Sequence, residues 1–433
     1  MAWWIKKSNL SEEQNQTIRS IKNNLNHVHW VSGVAGTGKT TVLAALTQDL
    51  RNDYPDATFH YLTYTHTLKN LAISSFKEEN VTGVHFLTHT KFLHDKSSTD
   101  FVFLDEVQDV SVDDLNTIKG LTKHLIIAGD CAQTIYEHSA TEPEIKKSVE
   151  PVQHMLIIIY RLTEFLAKIA SSILPSKELL GAKPGNSLAN TTARLIKFEN
   201  AIQECIWTIE ESLSRARPNK PSCILLTHHV CITFFIKNAL KNFDLEKVID
   251  SSHYENNSKE SPNQKFNYGL INNLFERHNI NIRYLGNNHG DLSEVPNKPM
   301  VYLMTYHSSK GLDFENVFIP QLNSNKQIVY KDVLSKKPEN SDLDKRLLFV
   351  AVTRSRSNLF MTYCTNEPHP LVAALPNISQ TKYEPNQKDD KDNVHHIDVS
   401  EIIPNPYQPR KVFHNDSLQA LAASIQEYGV IQP

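Results

Sequence analysis

Apolar residues in this chain come in short unbroken runs, separated by stretches with helical spacing. In roughly the first third the runs are Val28-His29-Trp30-Val31, Phe59 to Tyr64, Val84 to Leu87, Phe101 to Leu104 and Leu125 to Ala128. Runs this short and this continuous read as strands buried on both faces, and strands alternating with helices predict a parallel sheet covered on both sides. Thr40 to Leu50 fits the helical part of that scheme, with Val42, Leu43, Leu46 and Leu50 on one face. A second series predicts a second sheet: Met155 to Tyr160, Cys223 to Thr227, Ile282 to Leu285, Val301 to Thr305, Val317 to Pro320 and Leu359 to Cys364. The charged segment Glu142 to Glu150 is the expected crossing point, giving a first domain over residues 1–148 and a second over 149–376. Asp250 to Lys265 reads as a mobile loop, and Asn377 to Asn393, with the run Lys388-Asp389-Asp390-Lys391-Asp392, as a linker.

Composition adds limits rather than function. The 433 residues are 40% hydrophobic and 21% charged, enough for two globular domains and a tail. A net charge of −3 supplies no bulk basic field, although a near-neutral surface can carry a basic groove. The five cysteines include no C-x-x-C pair, which argues against zinc or a disulfide framework and for a reducing compartment. Met1 to Lys7 lacks a signal peptide's apolar core and no stretch is long enough to span a bilayer, so a soluble cytoplasmic protein without a membrane partner is expected.

Two segments carry chemistry. Phe101-Val102-Phe103-Leu104 runs straight into Asp105-Glu106-Val107-Gln108-Asp109, which places acids at the carboxyl end of a buried strand, where open α/β sheets bind ligands. There Asp105 suits a metal that bridges phosphates, Glu106 suits an attacking water, and Gln108 and Asp109 suit coupling of that chemistry to the surroundings. Alone, the segment would also fit a strand ending in solvated acids. Upstream, however, stands Gly33-Val34-Ala35-Gly36-Thr37-Gly38-Lys39-Thr40, a complete phosphate loop between a strand and a helix. Gly33, Gly36 and Gly38 let backbone N–H groups close on phosphates, with Lys39 reaching the β- and γ-phosphates. The Thr40 hydroxyl joins Asp105 on Mg²⁺, and Thr41 follows at the helix start. A nucleoside triphosphate and Mg²⁺ are the expected ligands.

Further motifs bring a family resemblance that covers residues 10–376. Leu10-Ser11-Glu12-Glu13-Gln14, Gly129-Asp130-Cys131-Ala132-Gln133-Thr134-Ile135-Tyr136, Ile159-Tyr160-Arg161-Leu162-Thr163, Met304-Thr305-Tyr306-His307-Ser308-Ser309-Lys310-Gly311-Leu312-Asp313-Phe314 and Arg346-Leu347-Leu348-Phe349-Val350-Ala351-Val352-Thr353-Arg354-Ser355-Arg356 occur in order. Together they resemble superfamily 1 helicases of the UvrD/Rep type. The resemblance implies two RecA-like P-loop domains. It implies that Gln14 reads adenine, Tyr160 stacks on it, Gln133 senses the γ-phosphate, Arg161 and Arg354 neutralise it, and Asp313, after Gly311, holds the ribose. It also implies a single-stranded nucleic acid partner, DNA by preference, met by Tyr64, Thr65, Thr88 and His307, with movement 3′ to 5′. Ile159 replaces the family's asparagine and Asp313 its glutamate. The physics agrees, because charge developing on a γ-phosphoryl group needs more cations than one domain supplies, so ATP should bridge both domains.

Departures from the family are equally legible. About a dozen residues separate Phe92 from Asp105 and about 80 separate Thr227 from Thr305, so both accessory insertions of UvrD-type enzymes are expected to be absent or vestigial. Glu137-His138-Ser139-Ala140 stands where the family has an aromatic, an arginine and a glycine, removing one ring and one cation from the track. The adjacent histidines His228-His229 and His395-His396 lack metal-ligand spacing and read as solvated. Val394 to Pro433 resembles the start of a ParB-type N-terminal domain, stopping before that family's nucleotide motif, so it reads as part of a fusion or as a docking segment for a protein partner. A translocase or helicase is the leading expectation. A nucleotide-controlled switch or loader that grips a protein without processive movement is the alternative.

Overall fold

The computed structural model describes residues 7–136, 139–181, 183–184, 191–255, 265–325, 328, 341–376 and 378–384. The expected loop tip, most of the linker and the whole ParB-like segment, like Glu137 and His138, lie outside these residues. The first domain is built from α1 (Glu12–Lys22), β1 (His29–Gly33), α2 (Lys39–Asp53), β2 (Phe59–Thr63), α3 (His66–Glu78), β3 (Val84–Thr88), α4 (His89–Asp95), β4 (Thr99–Leu104), α5 (Val112–Leu121), β5 (Thr122–Gly129), α6 (Glu142–Val149) and β6 (Val152–Leu156). Its sheet has the order β3-β2-β4-β5-β1-β6, with every neighbouring pair parallel. Side chains alternate across it. Val31, Phe59, Tyr61, Phe101, Phe103 and Ile126 pack toward one core, while Trp30, Leu62, Val102, Leu104, Leu125 and Ile127 pack into another. The period-two alternation of a strand thus fills both faces with apolar residues, as a doubly covered parallel sheet requires.

The chain then forms a short ribbon of β7 (Ile158–Ile159) and β8 (Lys183–Pro184), with α7 (Glu164–Ile173) and α8 (Lys177–Gly181) between them. The second domain follows with β9 (Thr192–Lys197), α9 (Ala201–Arg215), β10 (Ser222–Leu226), α10 (His229–Asn242), α11 (Tyr268–Arg277), β11 (Ile282–Tyr284), β12 (Val301–Thr305), β13 (Phe314–Ile319), α12 (Ser341–Val352), β14 (Ser355–Tyr363), α13 (Pro370–Ala373) and β15 (Ser379–Lys382). The order is β11-β12-β10-β13-β14-β9-β15, again all parallel. These two sheets are the two-domain α/β architecture expected from the sequence. One apolar cluster joins them, running from Val34, Ala35, Leu68 and Ile135 to Leu162, Leu312 and Val350.

Two segments fall elsewhere than the apolar pattern placed them. The run Met155 to Tyr160 is not the first strand of the second sheet. Val152 to Leu156 pairs with β1 as the outer strand of the first, so that sheet continues past residue 148. Because β6 is an edge strand, Val152 and Met155 are exposed and its signal is diluted by Gln153 and His154. At the other end, Ser379–Lys382 pairs with β9 inside the stretch read as linker, with every residue exposed, so hydropathy could not mark it. Where accessory insertions were expected to be missing, α4 ends at Asp95 and β4 begins at Thr99. Between β10 and β12, the described residues hold helical elements and the single strand β11.

Candidate nucleotide cleft and nucleic-acid face

The phosphate loop links β1 to α2 as its sequence requires. Lys39 is buried and its Nζ donates to the carbonyls of Gly33 at 2.9 Å and Val34 at 3.2 Å, folded over the loop it is expected to serve. Burial works against its charge, which Asp130, Glu106 and Asp105 support. Gln14 reaches the same loop from α1. Its Oε1 accepts from the Ser11 N–H at 3.0 Å in a capping box, and its Nε2 donates to the Thr37 carbonyl at 3.2 Å. At Gly36, φ is +85° and a Cβ would lie 2.8 Å from the Cβ of Arg161, so only glycine admits that close approach. The Tyr160 N–H seats the segment that follows β7 on the loop by donating to the Gly36 carbonyl at 2.9 Å.

At the end of β4, Asp105 and Glu106 are both buried, and Glu106 takes a left-handed φ of 57°. A non-glycine residue held there is strained, a feature that collects at functional sites. The Glu106 N–H donates to Asp105 Oδ1 at 3.0 Å, and the nearby Thr40 hydroxyl favours the charged Asp105 carboxylate. Burial and the adjacent Glu106 charge push Asp105 up to about 7, against Thr40 and Lys39. Burial also opposes the Glu106 carboxylate, yet Lys310, Lys39 and the Gln108 amide hold it below its usual range. Gln108 ties the group to β5: its Nε2 donates to Glu106 Oε2 and its Oε1 accepts from the Asp130 N–H at 3.0 Å.

The second domain closes over these groups. Arg354 is buried and donates from Nη2 to Gln133 Oε1 at 2.9 Å, while Gln133 Nε2 donates to Asp130 Oδ2 at 2.7 Å. Lys310 Nζ donates to the Gln133 carbonyl and to Asp109 Oδ1, both at 2.6 Å. Arg161 stands 3.7 Å from Asp313, whose two oxygens accept from Arg356 Nε at 2.8 Å and Nη2 at 3.1 Å. Gly311, at φ +79°, lets the turn after β12 press on Leu68 of α3, where a Cβ would come within 2.5 Å of a leucine methyl. Between the domains lies a cleft of about 440 Å³ lined by Gly36, Gly38, Lys39, Thr40, Thr41, Asp105, Glu106, Gln133, Tyr160, Arg161, Gly311, Asp313, Arg354 and Arg356, among others. Gly33 lines a second cavity of about 340 Å³ behind the loop.

The expected nucleic-acid residues sit at the carboxyl ends of strands in both sheets. Tyr64 follows β2 and is stacked between His89, at 4.9 Å between ring centres, and Tyr136, at 4.6 Å. Tyr136 in turn stands 5.9 Å from His307, which follows β12 in the other domain. The four rings form one row across the seam. Thr65 and Thr88 are the N-caps of α3 and α4, their hydroxyls accepting from the N–H groups of Leu68 and Lys91. His229, read from sequence as solvated, is instead tied by its Nδ1 to the Tyr268 hydroxyl at 2.9 Å.

Three side chains gained importance only in the structure. Lys310, Tyr136 and Arg356 all stand inside the motifs without a role there, and a lysine just past a fully buried strand was the available signal for the first. Arg356 had no such signal, since its partner lies in another motif.

Residues 192–366 match the UvrD-like helicase C-terminal domain, residues 9–135 an AAA domain and residues 383–433 the ParB N-terminal domain. The ATP-dependent DNA helicase Rep of Buchnera aphidicola is 42% identical over 73 residues, 17% of this chain and 10% of that protein. A probable chromosome-partitioning protein ParB of Helicobacter pylori is 44% identical over 63 residues, 14% of this chain and 21% of that protein. The chain therefore spans about a tenth and about a fifth of these two curated relatives. Among solved structures, an Arterivirus nonstructural protein 10 helicase aligns with a TM-score of 0.40 and 14% identity, over 84% of this chain and 64% of that one.

Proposed function

From a chain that carries a UvrD-like helicase C-terminal domain and an AAA domain around one cleft, we propose an ATPase motor that hydrolyses Mg²⁺-ATP and moves 3′ to 5′ along single-stranded nucleic acid, DNA by preference. The observation that carries this reading is the convergence of phosphate-loop, acidic and arginine side chains from two sheets on one cleft. The hydroxyl–carboxylate pair of Thr40 and Asp105 fits a hard divalent cation, since both offer oxygen. Bound there, Mg²⁺ would neutralise phosphate charge. Gln14 and Tyr160 flank the loop for the base, and Lys39 exchanges loop carbonyls for phosphate oxygens. Glu106, held ionised by Lys310 and Lys39, takes the proton of the attacking water. Arg161 and Arg354 meet the charge that develops on the γ-phosphoryl group. Because Arg354 already bonds Gln133 across the seam, hydrolysis and release would be felt by the segment that ends in Tyr136. The ParB N-terminal match supports a docking role for residues 383–433 toward a protein or DNA partner.

Steady-state ATP turnover with and without oligo-dT tests the reading. A motor is stimulated many-fold. Turnover that ignores the oligonucleotide would instead favour a switch that grips a protein partner. Streptavidin displacement from either end of a biotinylated strand reads the direction, and a forked duplex reads unwinding.

A further inference from the structure

The register between β13 and β14 slips at one point. Phe314 pairs with Ser355, but the next pair is Asn316 with Asn358, leaving an extra residue on β14. Such a bulge re-aims side chains, and both Arg356 and Ser357 line the cleft. Each meets a carboxylate from β13 or the turn before it: Arg356 forks onto both oxygens of Asp313, and the Ser357 hydroxyl donates to Glu315 Oε1 at 2.8 Å. Asp313 thus has two cations at hand, but only one is hydrogen-bonded to it. Arg161 stays 3.7 Å away, and its buried Nε has no hydrogen-bond partner among the described residues.

We propose that Arg356 is a positioning residue of the nucleotide cleft, which clamps Asp313 so that Arg161 stays free for phosphate. A bare carboxylate facing a polyphosphate would repel it and would also compete for Arg161. A bidentate guanidinium removes both effects, because it satisfies the two oxygens in one plane.

The inference rests on the cleft taking ATP, so the full chain is tested first for binding of a fluorescent ATP analogue with Mg²⁺. Failure of the unmodified chain to bind would remove the proposed function itself. Given binding, Arg356→Ala should raise the KM for ATP by about tenfold or more, as one competing ion pair predicts. Adding Asp313→Asn should bring KM back to within about threefold of the unmodified chain, because no carboxylate is left to compete. Arg356→Lys, which keeps charge but loses the fork, should fall between and serves if the alanine variant does not fold. The inference is overturned if Arg356→Ala and Arg356→Lys leave KM unchanged, if Asp313→Asn fails to rescue them, or if the loss appears in kcat alone, since a merely structural arginine would lower the folded, active fraction at unchanged KM.

Discussion

Lys310 of the second domain and Asp109 of the first form an ion pair at 2.6 Å, with 2% and 1% of their side chains exposed. Burial pushes the Asp109 carboxyl up and the Lys310 ammonium opposes that shift, so Asp109 depends on Lys310 to remain charged. Removing one member leaves an uncompensated buried charge. Lys310→Ala should lower unfolding free energy by about 3–5 kcal/mol, and Asp109→Asn with Lys310→Met should recover most of it. Urea unfolding of the three proteins checks this, and a loss under about 1 kcal/mol for the single variant would count against the pair as the fastening of the two domains.

Glu106 offers a cleaner separation of chemistry from binding. Glu106→Gln keeps the side chain's size and its contact with Gln108 but removes the base. Turnover should fall by about 10²–10⁴-fold while ATP analogue binding stays within a few-fold. Turnover near the unmodified rate would assign the water to another group.

Much of this site was legible beforehand because its parts are local. A phosphate loop is a contiguous string whose glycines and lysine announce their purpose, and Asp105 and Glu106 follow an unmistakable buried strand. Both sheets were likewise visible wherever strands form unbroken apolar runs, but the inner strand β9, with Thr192, Arg194 and Lys197 breaking up its apolar residues, was not. What escaped was relational. The partners of Arg356 and Lys310 come from other segments, and a single chain gives no sign of which distant residues will meet. Edge strands escaped for a different reason: β6 and β15 have an open side, so burial never forced their composition to become apolar.

Acid should loosen the first sheet at its outer edge. His29 Nε2 lies 2.7 Å from the Asn24 carbonyl, which can only accept, so that nitrogen carries the proton. His29 Nδ1 is then the acceptor for His154 Nε2 at 3.0 Å. A second proton on His29 would set N–H against N–H. Burial lowers both imidazoles, and it also pulls His229 down to about 4. With folded values below the unfolded one of about 6.5, the unfolded chain binds more protons as pH falls. The stability these groups contribute is complete above that value and is lost as pH drops through the folded values. The imidazoles alone should therefore lower the urea midpoint between pH 7.5 and 5, while the raised Asp105 and Asp109 carboxyls act in the opposite sense. His154→Gln, which still donates toward His29 but cannot titrate, should flatten part of that fall, and an unchanged slope would remove the pair from the explanation.

The row His89, Tyr64, Tyr136 and His307 predicts where nucleotide state meets the strand. Tyr136 is the one ring in the row that touches neighbours in both domains, and it lies three residues after Gln133, which bonds Arg354 and accepts from Lys310. A base inserted beside Tyr136 must move that segment, and the segment carries the contact to the arginine. Tyr136→Ala should weaken binding of labelled oligo-dT by about 1–3 kcal/mol, the value of one stacked base. It should also reduce stimulation of turnover by the oligonucleotide, leaving turnover without it near the unmodified level. Tyr136→Phe, which keeps the ring, should preserve both. Fluorescence anisotropy alongside the ATPase assay decides the matter. Full stimulation in the alanine variant would mean that the signal crosses the seam by another route, with the Lys310 to Asp109 pair as the next contact to test.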